Sequence, residues 1–467
     1  MRKTKIIATL GPATQSPEML DALIAKGLDI ARLNMSHAPH DWVREVVGNI
    51  RQASTKADRH VGILMDTQGP AIRTGDLPVP LDLKPGQRFV LTVRGEKSEE
   101  EHSVDVNYEN FIHDISVGDD VLLDNGQIHM RVLAKQENRI ECQVLTPGKL
   151  GSRRHINLPG VKVSLPALTT KDLLDVALGL ELGVDYLALS FVRQAKDLQQ
   201  LRAVVATSPH RPVIVAKLED QEAIRNLESI VRESDAIMVA RGDLGIEVPY
   251  EELPIIQRRT VKMCHRLGKP VIVATHLLES MIGSPMATRA EITDVANAVY
   301  EQADAVMLSG ETTVGRYPLR CMEVLERIAL RTERSGGANF QSEAHLTTPR
   351  QKLIKGAVFT ADELKADAII LFTRHGGTAR DTACMRPHNS PIFAFCPEAA
   401  VARKLALLRG VTPMVMQLAA DDPEGNTTRA IELLVQLGRL NRGQTAVVIG
   451  AITPASHLVD SVQMRKV

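Results

Sequence analysis

The chain has no net charge: Lys plus Arg and Asp plus Glu are each 56 in 467 residues. No global field draws it to nucleic acid or to an anionic membrane, so any positive potential must be local. Long apolar runs are also missing. No stretch approaches the roughly 20 apolar residues of a membrane span. The short run in MRKTKIIATLGP follows basic residues and ends in Gly-Pro, so it reads as a first strand rather than a signal-peptide core. Cysteines are few and unpatterned. Cys142, Cys264, Cys321, Cys384 and Cys396 are odd in number, scattered and without a CxxC, as expected of free thiols in a reducing compartment. Together these absences predict a cytoplasmic protein. There is no internal repeat and no low-complexity tract.

What is present is ordinary globular composition, 44% hydrophobic and 24% charged. The length is too great for one core and implies about two to four domains. Eight short apolar runs organise the chain: KIIATL, LDIARL, VGILM, DYLALSF, PVIVAKL, AIMVA, PVIVAT and AVMLS. Amphipathic stretches of helical length separate most of them. Eight buried strands alternating with helices predict a closed (β/α)8 barrel, an α/β fold whose active site forms at the C-terminal strand ends.

The interruptions predict the domain plan. Residues 69–162 alternate apolar and polar positions and are cut by Gly, Pro and Asn-Gly turns, which is antiparallel hairpin patterning. They read as a small β-barrel domain inserted as a lid over the catalytic face. Residues 1–68 and 163–336 then form the barrel, with a helix expected over 169–183. A polar linker, SGGANFQSEAHLTTPRQ, leads to a separate open α/β domain over 337–467. Its expected parallel strands are ADAIILFT, SPIFAFC, VTPMVM and TAVVIG.

The strand endings carry the chemistry. Side chains two apart on a strand share a face. Arg32, Asn34 and Ser36 therefore project together, as do Lys217 with Glu219, Arg241 with Asp243, and Ser309 with Glu311. Strands five and six should be neighbours about 4.8 Å apart, which brings the Glu219 and Asp243 carboxylates together. Two close carboxylates repel unless a cation lies between them. Mg²⁺ fits, because it takes a few carboxylate oxygens at about 2.1 Å and fills its other positions with substrate or water. A lysine and a divalent ion converging on one point suit phosphoryl transfer, where catalysis is positioning and charge neutralisation. Each pair alone could be a structural ion pair, and Thr275 alone could simply close a strand.

Longer strings in the same order resemble the pyruvate kinase family. They are ATLGPA (8–13), ARLNMSH (31–37), MDTQGPAIRTG (65–75), NLPGVKVSLPALTTKD (157–172), LSFVR (189–193), AKLED (216–220), MVARGDLGIEVP (238–249), ATHLLESM (274–281) and MLSGET (307–312). The resemblance implies transfer of the phosphoryl group of phosphoenolpyruvate to ADP, giving pyruvate and ATP. It implies that Lys217 stabilises the group in flight and that Glu219 and Asp243 hold Mg²⁺ or Mn²⁺. Backbone groups of Ala240, Arg241 and Gly242, with the Thr275 hydroxyl, would hold the substrate carboxylate. Arg32 and Arg73 would contact phosphates. Thr275 with Ser309 would form the proton route to the enolate. Pro12, Asn34, Arg153 and Arg154 would lie at the nucleotide. Asn34, Ser36, Asp66 and Thr67 match the family's K⁺ site.

Some positions depart from the family pattern. Gln68 and Ala71 stand where charged residues are common, but the oxygen set of Asn34, Ser36, Asp66 and Thr67 is intact, so K⁺ binding is expected. FTRHGGTARDTACMRP resembles the family's effector phosphate loop, and a strand running into glycines at a helix start suits a phosphate. A phosphometabolite or nucleotide monophosphate is therefore expected at Thr373, Arg374, Gly377 and Thr378. The closing tail, GAITPASHLVDSVQMRKV, lacks the usual pattern. A homotetramer is expected by resemblance. Two rival readings are a metal-dependent barrel aldolase or lyase on pyruvate-like substrates, and an inactive regulatory paralogue.

Overall fold

The structure is a computed structural model that describes residues 1–93, 102–452 and 459–467. Eight parallel strands close a barrel: Lys5–Thr9, Ile30–Asn34, Gly62–Asp66, Tyr186–Leu189, Val213–Leu218, Ala236–Ala240, Val271–Ala274 and Ala305–Leu308. Each coincides with one of the eight apolar runs. Nearly every residue of these strands is buried, because their outward faces pack under helices and their inward faces fill the barrel. The inner layer includes Ile7, Ile30, Leu64, Tyr186, Val215 and Met238, a packed interior rather than a channel.

Local sequence sets the helix starts between strands. The helix Thr170–Glu181 begins at a capping box in which the Thr169 hydroxyl accepts from the Asp172 N–H and Asp172 reaches back. A second box, Thr288 with Glu291, starts Arg289–Tyr300. These caps fix where each chain segment leaves the barrel and so where each strand end sits.

Between the third and fourth barrel strands lies a six-stranded sheet containing Arg88–Val93, Ser103–Val106, Asp120–Leu123, Ile128–Lys135, Arg139–Val144 and Ile156–Asn157. Its hairpin at Asp124, Asn125 and Gly126 has positive φ at all three residues, the conformation that an Asn-Gly turn favours. The sheet departs from the antiparallel expectation at one edge, where Arg88–Val93 pairs parallel with Ser103–Val106. Residues 94–101 between that pair lie outside the described residues.

The C-terminal sheet has the four expected parallel strands, Ala368–Phe372, Ile392–Cys396, Val411–Val415 and Thr445–Ile452. A fifth strand not expected from the sequence, Val459–Lys466, pairs antiparallel with Thr445–Ile452. It accounts for much of the atypical tail, of which 453–458 lie outside the described residues. This domain docks on the N-terminal ends of the barrel strands. Asp304 accepts from Arg386 Nη1 at 2.8 Å and Nη2 at 2.6 Å, and both side chains are fully buried. The Tyr186 hydroxyl, at the barrel floor, accepts from the Leu407 N–H. Among the described residues no helix is long and apolar enough to cross a membrane.

Candidate active site

The C-terminal ends of strands three, four and five meet in one buried charge cluster. Lys217, near the end of strand five, places Nζ 2.8 Å from Glu219 Oε1, 3.1 Å from Asp66 Oδ1 and 2.7 Å from Ser190 Oγ. Arg32 closes the other side, with Nε and Nη2 each 2.7 Å from Asp66 Oδ2 and Nη1 2.9 Å from Thr9 Oγ1. Burial would raise the Asp66 carboxyl, but Lys217 and Arg32 outweigh it and hold it below its ordinary range. Burial would likewise lower the Lys217 ammonium, yet Asp66 and Glu219 raise it above its ordinary value, so it stays charged.

Glu219 behaves differently. It is buried, and burial pushes its carboxyl up to about 7; Lys217 opposes this, while the Asp243 charge adds to it. Its Oε2 accepts the Phe191 N–H at 2.6 Å, and Phe191 adopts φ 53° to present that donor. One ammonium thus serves two buried carboxylates, and the charge of a third, Asp243, also acts on Glu219. The donor set fits a divalent cation, because a cation between Glu219 and Asp243 would relieve their repulsion. Among the described residues no cluster of three or more acidic, histidine or cysteine side chains forms a protein-only metal cage. A two-carboxylate site is what Mg²⁺ uses when substrate supplies other oxygens.

The ends of strands six and seven form the next part. The strand stops at Ala240, and Arg241–Glu247 turns at once into a helix. Arg241 and Asp243 therefore do not alternate along a strand, contrary to the simple two-residue rule. The Arg241 guanidinium turns to Asp294 at 2.7 Å and to the Thr275 carbonyl at 2.6 Å, where it braces a neighbouring turn. Thr275 and His276 both have positive φ, 67° and 55°, a conformation that bulky residues rarely adopt. The Thr275 hydroxyl accepts the Gly242 N–H at 2.6 Å and donates to the Ala274 carbonyl at 2.6 Å.

At strand eight, Glu311 is also not a partner of Ser309 across a strand face. It lies in the short helix Gly310–Thr313 and accepts the Ser309 N–H at 2.7 Å and the Leu278 N–H at 3.0 Å. The Ser309 hydroxyl is buried and has no hydrogen-bond partner, so it is available to a bound group or water.

The remaining expected positions fall in three places. Asn34 and Asp66 are cross-strand neighbours, Asn34 Oδ1 accepts the Ser36 N–H at 3.2 Å, and Thr67 Oγ1 accepts the Ser190 N–H at 3.1 Å. Arg73, Arg153 and Arg154 lie on the inserted domain. Arg73 donates to the Arg153 carbonyl at 3.2 Å, Arg153 pairs with Asp76 at 2.8 Å, and Arg154 stands 3.3 Å from Asp124. Pro12 is exposed at the end of strand one. In the C-terminal domain, Thr373, Arg374, Gly377 and Thr378 line a cavity of ≈ 420 Å³ at the start of the helix Gly377–Cys384. Thr373 Oγ1 accepts the Gly376 N–H at 2.9 Å, with Gly376 at φ 92°.

Three participants were missed by reading roles from the sequence alone. Ser190 joins Lys217, Asp66 and Thr67; its place at the end of the strand four run was the available signal. The Phe191 N–H carried no signal. Arg350 donates to the Thr378 hydroxyl at 2.8 Å and lines the C-terminal cavity, yet in sequence it is merely the second residue of a capped helix.

A closed barrel with an inserted β sheet, a buried lysine flanked by carboxylates and a separate docked α/β domain define a barrel enzyme whose site suits phosphoryl chemistry. Comparison with known proteins gives the family. The model described as "Pyruvate kinase, barrel domain" matches residues 1–322, and "Pyruvate kinase, alpha/beta domain" matches 351–460. The chain is 40% identical over 474 residues to the chloroplastic pyruvate kinase isozyme G of Nicotiana tabacum, covering 100% of this chain and 84% of that protein. It is 37% identical over 463 residues to a pyruvate kinase of Staphylococcus epidermidis, covering 97% and 78%. A solved pyruvate kinase from Cryptosporidium parvum superimposes with TM-score 0.94 at 35% identity, over 100% of this chain and 96% of that one. The chain belongs to the pyruvate kinase family, and its reaction is phosphoryl transfer between phosphoenolpyruvate and ADP. These matches favour neither the aldolase reading nor the inactive-paralogue reading.

Proposed function

We propose that the buried cluster around Lys217 carries the transfer step. The observation that supports this reading is the placement of Lys217 Nζ within 3.1 Å of both Asp66 and Glu219, which keeps the amine charged in a nearly water-free pocket. Lys217 and Arg32 neutralise the equatorial oxygens of the phosphoryl group, where charge is spread in the transition state. Glu219 and Asp243 would hold Mg²⁺ or Mn²⁺, which would supply further charge neutralisation. The Ala240, Arg241 and Gly242 backbone, opening the helix Arg241–Glu247, with Thr275 binds the carboxylate end. Thr275 and the unpartnered Ser309 hydroxyl relay a proton to the enolate carbon.

The same reading assigns Asn34, Ser36, Asp66 and Thr67 to K⁺, in keeping with a family that generally depends on Mg²⁺ and K⁺. Pro12, Asn34, Arg73, Arg153 and Arg154 face the nucleotide, and the Arg153 and Arg154 side chains must leave Asp76 and Asp124 to reach it. The lid is 69–162, the barrel 1–68 with 163–336, and the regulatory domain 337–467. Thr373, Arg374, Gly377 and Thr378, joined by Arg350, take a phosphorylated effector. A homotetramer located in the cytoplasm completes the assignment. A coupled assay for ATP formation from phosphoenolpyruvate and ADP tests the central claim. Absence of ATP with Mg²⁺ and K⁺ both supplied would overturn it.

A further inference from the structure

A second cavity, of ≈ 310 Å³, lies where the chain returns from the lid to the barrel. Ile72, Ile156, Leu158, Val161, Val163 and Phe191 contribute apolar walls. Lys217, Glu219 and Asp243 do not line it, so it is distinct from the phosphoryl-transfer cluster. Phe191 belongs to both, since its N–H holds Glu219.

The polar valences inside are unbalanced. Asn157 is 3% exposed, and its Nδ2 donates to Glu247 Oε1 at 2.9 Å. Its Oδ1 is buried and has no partner, a state that native interiors seldom leave unfilled. Glu247 is 8% exposed and also lines the cavity. The Arg193 and Gln221 donors are already committed. Arg193 spends Nη1 on the Val163 carbonyl at 2.7 Å and Nη2 on the Leu165 carbonyl. Gln221 Nε2 donates to the Glu247 carbonyl oxygen at 2.5 Å. Asp220 accepts the Ala223 N–H at 2.7 Å. Lys162 and Arg225 are exposed. What the interior offers is therefore mainly acceptors: the Asn157 amide oxygen and the Glu247 carboxyl, which burial pushes up to about 7 and which is a carboxylate above that pH. His155, which also lines the cavity, is held neutral by burial.

We propose that this hinge cavity binds a small primary ammonium compound with an apolar body, held by Asn157 Oδ1 and the Glu247 carboxylate. An ammonium brings three donors and a charge, and a charge-assisted bond to a buried carboxylate is about twice as strong as a neutral one. The apolar body covers the aliphatic walls. A ligand there bridges lid residues 156–163 and the barrel helix Gln221–Arg225, so it acts on the hinge of the lid.

The test uses the full chain at pH 8, above the raised Glu247 value, with saturating KCl and MgCl2, so that small cations at the other sites are already in place. Saturation-transfer NMR is recorded with n-butylammonium chloride and, separately, with butan-1-ol. The expected result is saturable binding of n-butylammonium and binding of butan-1-ol weaker by about tenfold, the value of one charge-assisted contact. Val161→Trp, which fills the cavity, and Asn157→Leu should each abolish the n-butylammonium signal, while Val161→Trp still forms ATP. Glu247→Gln keeps the side-chain shape and serves if the larger substitutions fail to fold; it should weaken binding by about tenfold. No saturable binding, equal binding of the alcohol, or binding unchanged in the folded variants overturns the proposal.

Discussion

Lys217 Nζ lies 2.8 Å from Glu219 Oε1, with side-chain exposures of 10% and 1%. The contact couples catalysis to stability. Removing the amine leaves two buried carboxylates, Asp66 and Glu219, short of a counter-charge, and breaking one partner of a buried pair costs about 3–5 kcal/mol. Lys217→Met is therefore expected to lower the melting temperature as well as to reduce kcat by about 10²–10³, the cost of losing one preorganised electrostatic group. Circular dichroism melts and the coupled ATP assay on the same preparation check both. A variant with full turnover would remove Lys217 from the transfer step.

The raised Glu219 carboxyl predicts how Mg²⁺ stabilisation depends on pH. Its ordinary value is near 4.3, and burial carries it to about 7 in the folded chain. A proton and the metal compete for this group, so added Mg²⁺ should stabilise little at pH 5.5, progressively more as pH rises through about 7, and evenly above it. Asp66, shifted the other way, contributes stability that is lost only in acid, below that window. Half-buried His155 and buried His265 are pushed down by desolvation and favour the fold as pH rises, which is why melts must be compared with and without Mg²⁺ at each pH. Glu219→Gln should flatten the dependence. A Mg²⁺ shift that stays constant from pH 5.5 to 8 would argue against Glu219 as a ligand.

Much of this was legible in the sequence, and the residues that were not share a physical reason. Period-two alternation holds only while the chain is a strand. It therefore placed Lys217 with Glu219 correctly and failed at Arg241 with Asp243 and at Ser309 with Glu311, where a helix begins at the strand end. Polar residues at a strand end can line a site or satisfy the turn, and composition does not separate the two. Glu311 turned out to hold two backbone N–H groups, and Arg241 a carbonyl. The parallel edge pair of the lid was hidden because no hairpin signal marks a parallel pairing. The Phe191 amide was invisible because every residue has one.

Thr275 permits a sharp separation of roles. Its hydroxyl bridges the Gly242 N–H and the Ala274 carbonyl, so Thr275→Ser should retain nearly all activity. Thr275→Ala removes the hydroxyl and should lower kcat by about 10²-fold, in the range of a lost general acid-base group. Solvent-proton incorporation into pyruvate, followed by NMR, checks the proton route. If Thr275→Ala exchanges and turns over normally, the proton arrives by another path.

The K⁺ assignment rests on oxygens from Asn34, Ser36, Asp66 and Thr67, but Arg32 and Lys217 already match the Asp66 charge. A cation there would rely mainly on neutral oxygens, so its affinity should be modest. ATP formation in potassium-free buffer should be slower and should rise with added KCl, whereas LiCl, a smaller and more strongly hydrated ion, should not substitute. Identical rates in both buffers would exclude a K⁺ role.

The docking of the C-terminal domain depends on Arg386 and Asp304, which meet at 2.6 Å with no exposure on either side. Asp304 also receives the Val271 N–H at 3.0 Å, its carbonyl takes the Lys5 N–H at 2.8 Å, and the Arg409 N–H reaches it at 3.2 Å. One residue thus ties strand one through its carbonyl and strand seven through its carboxylate to the domain that carries the Gly377–Cys384 helix. Arg386→Met leaves that carboxylate buried without its guanidinium, at a cost of about 3–5 kcal/mol. Because Asp304 sits at the floor of the strands whose far ends carry Thr275 and Ser309, the loss should also alter the half-saturation for phosphoenolpyruvate. Melting and steady-state kinetics on the variant decide it. A lower melting temperature with unchanged kinetics would make the pair purely structural, and unchanged melting would remove it from the interface altogether.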